Sequence, residues 1–591
     1  MSFLPYLFRI HLSSGRKIWR NKGKLDWFPT HYPLSPVEQG RDRHTSIMQN
    51  KKIIRVCVWI LFIAYLFSFL LTTSNDFSQD LGRHLKLGEI ITQTKTVPKI
   101  NLFSYTYPNF SFINHHWFSE VVFFLSQKWL GINSLIILKA CVICLAIVIA
   151  VASSSSIWGV GVGFLLSPLI LERADIRPEI FGFLFFSLIF MQLKKVKREK
   201  QISPFLPIIF LLWVNIHISF IFGLLLLGIL FLSADKNKKN ISVIVLSLMC
   251  LFINPNGIRG VLAPFTIFSN YGYSIVENQN MFFLFNRTYD IFIRGYFLLL
   301  PIIFVSIYAL CRQKKYIETF LLTLFAAAAL YQVRHLPFFV LTALFILPDL
   351  LKNIHIRLSQ TVKSLTEYMF IILLLCGIIF FGSGLFFETF DINKSFGFGF
   401  ELVDKKVITY LQKNPQKGNI FNNFDIGSYL SFGLYPKNKV FVDGRPEAYP
   451  ASFFKNIYIP IEEDQSQQEK YFTRYNIHTI VVSHTDQTPW GQIFLARITH
   501  DNKWKLVYLD SVCAVFTDAE KEIDMRAAND FTQQTEEETD FFKLAQYAQF
   551  FDVTDDKKQT LFLLKKMNML RPHSCTLIRL YKMQNDAPWC F

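Results

Sequence analysis

Between residues 53 and 387 the chain alternates long apolar runs with short charged breaks. The runs cover 53–73, 132–152, 157–171, 179–193, 204–216, 218–233, 241–254, 295–311, 316–332, 335–350 and 366–387. Runs of this length read as membrane segments, about eleven of them, several short for a straight span. If successive segments cross, "KKVKREK", "DKNKKN", "RQKK" and "KNIHIRLSQTVK" all fall on one side. Positive residues collect on the cytoplasmic side, so that side and the N-terminus are cytoplasmic. The uncharged "SSSS" at 153–156 is the weakest turn, but a re-entrant pair there leaves the downstream orientation unchanged. Three regions then face outward: a loop over 74–131, a loop over 255–294, and everything after 388.

Past that point the pattern changes. "KVFVD", "HTIVVS" and "KWKLVYL" are short runs rich in β-branched and aromatic residues, separated by the helix-like "LVDKKVITYLQK" and "EEDQSQQEKYFTRY". The alternation predicts a small extracytoplasmic α/β domain over 389–518. Residues 519–591, with "EEETDFFKLAQYAQFF" and "KKQTLFLLKKMNML", predict a short helical appendix. The fold class is therefore a polytopic α-helical membrane protein, with a core over 51–388 and two outer additions.

Composition supports that class. Of 591 residues, 51% are apolar and 63 are Phe, too greasy for a soluble multidomain protein. The formal charge of +17 raises nucleic acid as a partner. The basic residues sit between apolar runs instead of on one soluble face, so membrane lipids are expected and nucleic acid is not. Six of the 9 cysteines (Cys57, Cys141, Cys144, Cys250, Cys311 and Cys376) lie in or beside apolar runs, and no disulfide framework or zinc spacing follows. Cys141 and Cys144 form a C-x-x-C, but in a lipid-like context. Residues 1–50 are basic and irregular, with an apolar start too short for a signal-peptide core, and no fold is assigned to 1–47. Met48, just ahead of Lys51, Lys52 and the first long run, is a candidate start of translation.

An ionisable group at the bilayer centre costs roughly 2.5–3.5 kcal/mol, so polar residues near membrane segments ask for a reason. Here they gather on the outer side. Asp76, Asp80, Arg83 and His84 open the first outer loop, and Asn114, His115, His116, Trp117 and Glu120 close it ahead of the amphipathic "WFSEVVFFLSQKWL". "TKTVPKINLFSYTYP" between them is turn-rich, which lets the two polar ends meet. Other segments add Glu172, Arg173, Asp175, Arg177 and Glu179, then Asn215, His217, Asn254, Arg259, Glu277, Arg334 and His335. Such convergence implies a cavity opening outward at the lipid boundary. Plainer roles compete: Asn215 and His217 suit structural caps, and Arg334 suits snorkelling to lipid phosphates. Asp80 stands about one helical turn from Arg83 and His84, which would hold its carboxylate ionised and aimed, as a general base requires. Asp80, His84, His115 and His116 are metal-ligating types without a diagnostic spacing, so a divalent metal stays open and no cofactor is certain. No phosphate-binding glycine loop is present, which favours a lipid-linked substrate over a soluble nucleotide.

A wider pattern is carried by "DLGRHLKLGEII", "PKINLFSYT", "HHWFSEV", "RPEIFGFLFF", "LLWVNIHISFIFGLLLL", "INPNGIRG", "RHLPFF" and "NIFNNFDIGSYLSFGLYPKNKVFVDGRPEAYP". Over about residues 50–515 it resembles the C-type (GT-C fold) membrane glycosyltransferases, and within them a set of bacterial multi-pass members with an outer carboxy-terminal domain. The resemblance implies transfer of a sugar from a polyprenyl-phosphate carrier to a glycan or protein acceptor on the outer face. It implies Asp80 as the base, with Asp76 as rival, and Arg83, His84, His115, His116 and Glu120 in support. Arg177, Arg259 and Arg334 become candidates for the carrier phosphate, since a guanidinium forks onto phosphate oxygens. "FDIGSYL" and "FVDGR" parallel the W-W-D-x-G element and following acid of oligosaccharyltransferases, without the paired tryptophans. Asp425, Gly427, Asp443 and Arg445 are therefore expected either to meet the acceptor or to dock the outer domain on the membrane core, with docking favoured. Two other classes stand beside this: a transporter or flippase for a lipid-linked or anionic substrate, and a non-catalytic envelope assembly protein.

Overall fold

A computed structural model describes residues 36–580 except 76, 155–156, 267–271, 274–275, 289, 357–359, 403–405, 416, 519–530, 532, 534 and 573. The chain is mostly helical, and the apolar runs become helices. Among the described residues, five are long and apolar enough to cross a membrane: Ile53–Leu70, Ser134–Ala152, Ile291–Arg312, Val333–Lys352 and Leu365–Gly382. Shorter apolar helices follow at Leu206–Ile216, Phe220–Ser233 and Tyr316–Tyr331. The other three of the eleven expected runs form helices Ile157–Leu166, Glu179–Glu199 and Lys238–Cys250, which do not count among the five, so a count of eleven crossings is not established. The runs over 204–216 and 218–233 are separate helices because His217 between them is extended, and Asn215 ties the end of the first by donating from Nδ2 to Leu211 O and Ile253 O, each at 2.8 Å. Residues from Val56 onward form one compact unit; in the other, Met1–Arg55, the described part is the start of helix Pro36–Leu70.

The expected first outer loop is two helices and an extended link. Gly82–Thr94 and Trp117–Leu130 pack face to face. Gly88 makes this possible, because a Cβ there would lie 2.1 Å from the Glu120 carbonyl oxygen. The two polar ends of the loop thus meet.

After residue 418, β1 (Asn419–Asn422), β2 (Ile477–Ser483), β3 (Trp504–Leu509) and β4 (Cys513–Asp518) form one sheet in the order β1-β2-β4-β3. β1 and β2 are parallel, so a helical crossover must join them, and helices Phe424–Leu434 and Gln465–Tyr475 lie within it. β4 runs antiparallel to β2 and β3, pairing Val481 with Val515 and Leu506 with Phe516. The β3–β4 turn is tied by Asp510, whose Oδ1 accepts from Val512 and Cys513 N–H at 2.9 and 2.7 Å.

"KVFVD" corrects an expectation, since it joins no strand of this sheet. Val440 bridges only to Ser104 of the first loop. Asn422 Nδ2 donates to Val442 O at 2.7 Å, Phe441 N–H donates to Asn422 Oδ1 at 2.9 Å, and the Ser104 and Thr106 hydroxyls donate to Phe441 O. Side chains and the first loop satisfy the backbone that a neighbouring strand would otherwise pair. Helices Phe541–Val553 and Lys557–Leu570 share a hydrophobic core with the sheet, with Phe550 and Leu563 buried beside Phe516 and Phe421. Cys575, in the next helix, is disulfide-bonded, which the cysteine spacing does not reveal.

Candidate active site

Three separate stretches converge on Asp80. It lies in a short helical turn, Phe77–Leu81, that runs directly into Gly82–Thr94. Arg83, one turn on, donates from Nε to Asp80 Oδ1 at 3.0 Å, and its Nη2 stands 2.9 Å from the same oxygen. Arg177, from the "ERADIRPE" stretch, brings Nε within 3.8 Å of Asp80 Oδ2 and also contacts Gln79 and Glu277. Glu277, on the turn Val276–Asn278, accepts in addition from Arg173 Nη2 at 3.0 Å, and Arg173 reaches Glu179 at 2.6 Å. Burial alone would raise the Asp80 carboxyl, but Arg83 and Arg177 outweigh it and hold it well below the usual carboxylate range. The carboxylate is thus ionised and shared between two guanidiniums.

Below this network lies a layer of histidines. His84 Nδ1 faces Glu120 Oε1 at 3.1 Å, and Asn114 Nδ2 donates to Glu120 Oε2 at 2.7 Å. The His116 ring sits 5.5 Å from His84, 4.1 Å from His115 and 5.4 Å from His217, stacked on the last. Burial pushes His84 and His116 down and takes His115 to about 4, so all three are neutral at pH 7. Arg334 donates from Nη1 to Asn278 Oδ1 at 2.8 Å, which ties it to the Glu277 turn. Beside His116, Trp117 donates to Asn215 at 2.8 Å along the wall of an open, mainly apolar cavity of about 460 Å³, completed by Leu211, Phe252, Ile253 and Pro255.

Other expected residues fall elsewhere. Asp76 lies outside the described residues. Arg259 is exposed on helix Ile258–Thr266 and forms no ion pair with the cluster. No grouping of three or more His, Cys, Asp and Glu among the described residues is placed to hold a metal ion. The reason is visible in the partners: His84 is spent on Glu120, His115 on the Ile113 carbonyl, and Asp80 on two arginines.

The outer domain closes over Asp80 through helix Phe424–Leu434. Gly82 packs against it, so that a Cβ there would lie 2.9 Å from the Ser428 carbonyl oxygen, and one on Gly444 would lie 3.3 Å from Asp80 Oδ1. Gly427 lets this helix press on residues 442–443, since a Cβ would come 2.0 Å from Val442 O. Asp425 heads the helix with its side chain half-buried. Burial first, then Asp486 and Asp80, push its carboxyl up to about 7. Asp443 and Arg445 do not reach toward Asp80. Arg445 donates from Nε and Nη2 to the two Asp443 oxygens, each at 2.7 Å, and from Nη2 to Asn101 at 2.9 Å. Its guanidinium lies 4.9 and 4.7 Å from the Phe103 and Phe112 rings, clamping the first loop to the outer domain. Gln79, Glu447, Asp486 and Glu462 were not singled out from the sequence. Gln79 and Glu447 sit beside Asp80 and Arg445 without a signal of their own, while Asp486 and Glu462 lie outside every motif and only the fold brings them near.

No protein-family model matches the chain, and no curated protein does. Solved structures do. The archaeal oligosaccharyltransferase AglB from Archaeoglobus fulgidus, in complex with an inhibitory peptide and a dolichol-phosphate, is 12% identical and covers 88% of this chain and 86% of its own, at a TM-score of 0.52. The Archaeoglobus fulgidus oligosaccharyltransferase tethered to an acceptor peptide is 11% identical over 80% of this chain and 75% of its own, at a TM-score of 0.51. ArnT from Cupriavidus metallidurans in the apo state is 11% identical over 79% of this chain and 98% of its own, at 0.46. The two oligosaccharyltransferase structures establish the fold: this chain has the GT-C fold of membrane glycosyltransferases.

Proposed function

We propose that the chain is a multi-pass membrane glycosyltransferase that moves a sugar from a polyprenyl-phosphate carrier to an acceptor on the outer face, with inversion at the sugar carbon. The observation that carries this is the Asp80 carboxylate held between Arg83 and Arg177, under the outer domain, on a GT-C fold. The dolichol-phosphate and acceptor peptide bound by the oligosaccharyltransferase structures support a lipid-linked donor and a glycan or protein acceptor here. The disulfide at Cys575 supports an oxidising, extracytoplasmic setting for the C-terminal part. The apolar cavity beside Trp117 suits a segment of prenyl chain.

In this reading the acceptor nucleophile attacks the sugar carbon, the carrier phosphate leaves, and the acceptor proton passes to Asp80. A carboxylate pinned by two guanidiniums is a weak base. The carrier phosphate is the stronger partner for Arg177, and as Arg177 turns to it the carboxylate loses a counter-charge and gains basicity. Donor arrival therefore arms the base. The test is deletion of the gene, followed by complementation with wild type or Asp80→Asn and mass analysis of envelope glycans and polyprenyl-linked sugars. Expected are accumulated donor and a shortened glycan, reversed by wild type and not by an equally abundant Asp80→Asn. Full rescue by Asp80→Asn overturns the assignment of the base.

A further inference from the structure

Behind Asp425 stands a second group of acids for which the transfer step has no use. Asp486 follows β2, and Glu462 lies on the short helix Ile459–Glu463. Asp486 accepts from Asn423 Nδ2 at 3.0 Å and from Thr488 N–H at 2.8 Å. Glu462 is fully buried, yet neither of its oxygens has a partner at hydrogen-bonding geometry, although the Tyr458 hydroxyl stands beside it. Arg497, whose Nη2 donates to the neighbouring Ile461 O at 2.8 Å, attracts Glu462 without pairing with it. A buried carboxyl with open acceptors costs folding free energy, about 1–3 kcal/mol or more, so a missing partner is the economical explanation.

The walls around these acids are aromatic. The Tyr273 ring lies 4.4 Å from Phe424, 5.1 Å from Phe454, 5.9 Å from Trp490 and 6.0 Å from Tyr458. Tyr273 Oη and Trp490 Nε1 are buried without a hydrogen-bond partner. Burial pushes all three carboxyls up, repulsion from neighbouring acids adds to it at Asp425 and Glu462, and all three act on Tyr273, whose ring lies against Phe424, the residue whose N–H donates to Tyr458 Oη at 2.8 Å. They are nevertheless not grouped to hold a metal ion. Carboxylates that feel one another without closing on a bare ion, walled by π faces, fit an organic cation. The Trp490 N–H and the Tyr273 hydroxyl lie near one another without closing a hydrogen bond, and an oxygen next to that cation would serve both.

We propose that this box binds a protonated primary amine with a neighbouring oxygen, carried by the acceptor, with Asp425, Asp486 and Glu462 facing the ammonium and Tyr273 and Trp490 meeting the oxygen and carbon stem. That the amine belongs to the acceptor rests on the transferase reading, because Asp425 lies within electrostatic reach of Asp80. The binding itself does not.

The test is titration of the purified full chain in detergent at pH 8 with ethanolamine, ethylene glycol and n-propylamine, read by tryptophan fluorescence and melting temperature. Ethanolamine is expected to bind roughly tenfold more tightly than the glycol, with propylamine between them. Glu462→Gln with Asp486→Asn is expected to remove the preference for the amines. Trp490→Phe is expected to remove the preference of ethanolamine over propylamine. Should the double variant fail to fold, Asp425→Asn, at the least buried of the three acids, is expected to weaken ethanolamine several-fold and leave the glycol unchanged. Equal binding of ethanolamine and the glycol, or an amine preference that survives these carboxyl changes, overturns the proposal. No donor sugar enters this assay, so its failure leaves the transfer reading standing, and rescue by Asp80→Asn in the cellular assay leaves the box standing.

Discussion

Arg177 and Arg445 are both buried arginines beside an aspartate, and they are held in opposite ways. Arg445 meets Asp443 with two parallel hydrogen bonds of 2.7 Å and lies between two phenylalanine rings. Arg177 has no such single partner, being spread over Gln79, Asp80 and Glu277, with the Asp80 contact at 3.8 Å. The forked pair has no cause to open, because every alternative leaves a buried charge unpaired. The spread one can trade a weak contact for a phosphate at little cost. Geometry of the partner, more than burial, separates an arginine that is fastened from one that can change partners.

The contrast is breakable. The largest effect is expected at the clamp, where Arg445→Met leaves Asp443 buried and unpaired and lowers stability by about 3–5 kcal/mol, read as a fall in melting temperature of the detergent-solubilised chain. An unchanged melting temperature would put Arg445 in Arg177's class. Arg177→Met is expected to lower transfer about 100-fold, roughly 2.7 kcal/mol, with the melting temperature nearly kept. A large thermal loss would instead make Arg177 a second fastener.

A smaller effect concerns Asp425, which faces Asp486, Glu462, Tyr273 and, more distantly, Asp80. Its carboxyl is raised from 3.8 to about 7 in the folded chain, so between those pH values the unfolded chain gives up a proton that the folded one keeps. Stability from this group is therefore present below pH 4 and declines as pH rises toward 7. Asp425→Asn is expected to flatten that decline in melting temperature over pH 4–7, and an unaltered slope would assign it to other groups. The smallest effect is at Arg259, exposed and outside the network, where Arg259→Ala is expected to leave transfer within about twofold.

Much of this arrangement is legible in the sequence, and the limits have physical causes. Apolar runs fix helices because burial dictates them locally, so "WFSEVVFFLSQKWL" is the helix Trp117–Leu130, and Asp80 with Arg83 is visible from one-turn spacing. β1 is four residues, two of them Asn, and has no alternation to read. "KVFVD" has the alternation but lacks the neighbour, because first-loop side chains occupy its edge. The partnership of Arg177 with Glu277, and of Asp425 with Asp486 and Glu462, depends on where distant segments are carried, and residue type alone cannot report it.

The clamp also sets an order of events during synthesis. Arg445 bonds Asn101 across 344 residues of chain, so at about 5–20 residues per second the first outer loop emerges some 20–70 s before its fastener exists. Through that interval Phe103 and Phe112 have no guanidinium to cover them. A nascent chain stalled before Asp443 is therefore expected to expose the loop to proteases, and one stalled well past Tyr449 to protect it. The face that carries Asp80 is completed late, by a segment that the ribosome delivers after the apolar helices.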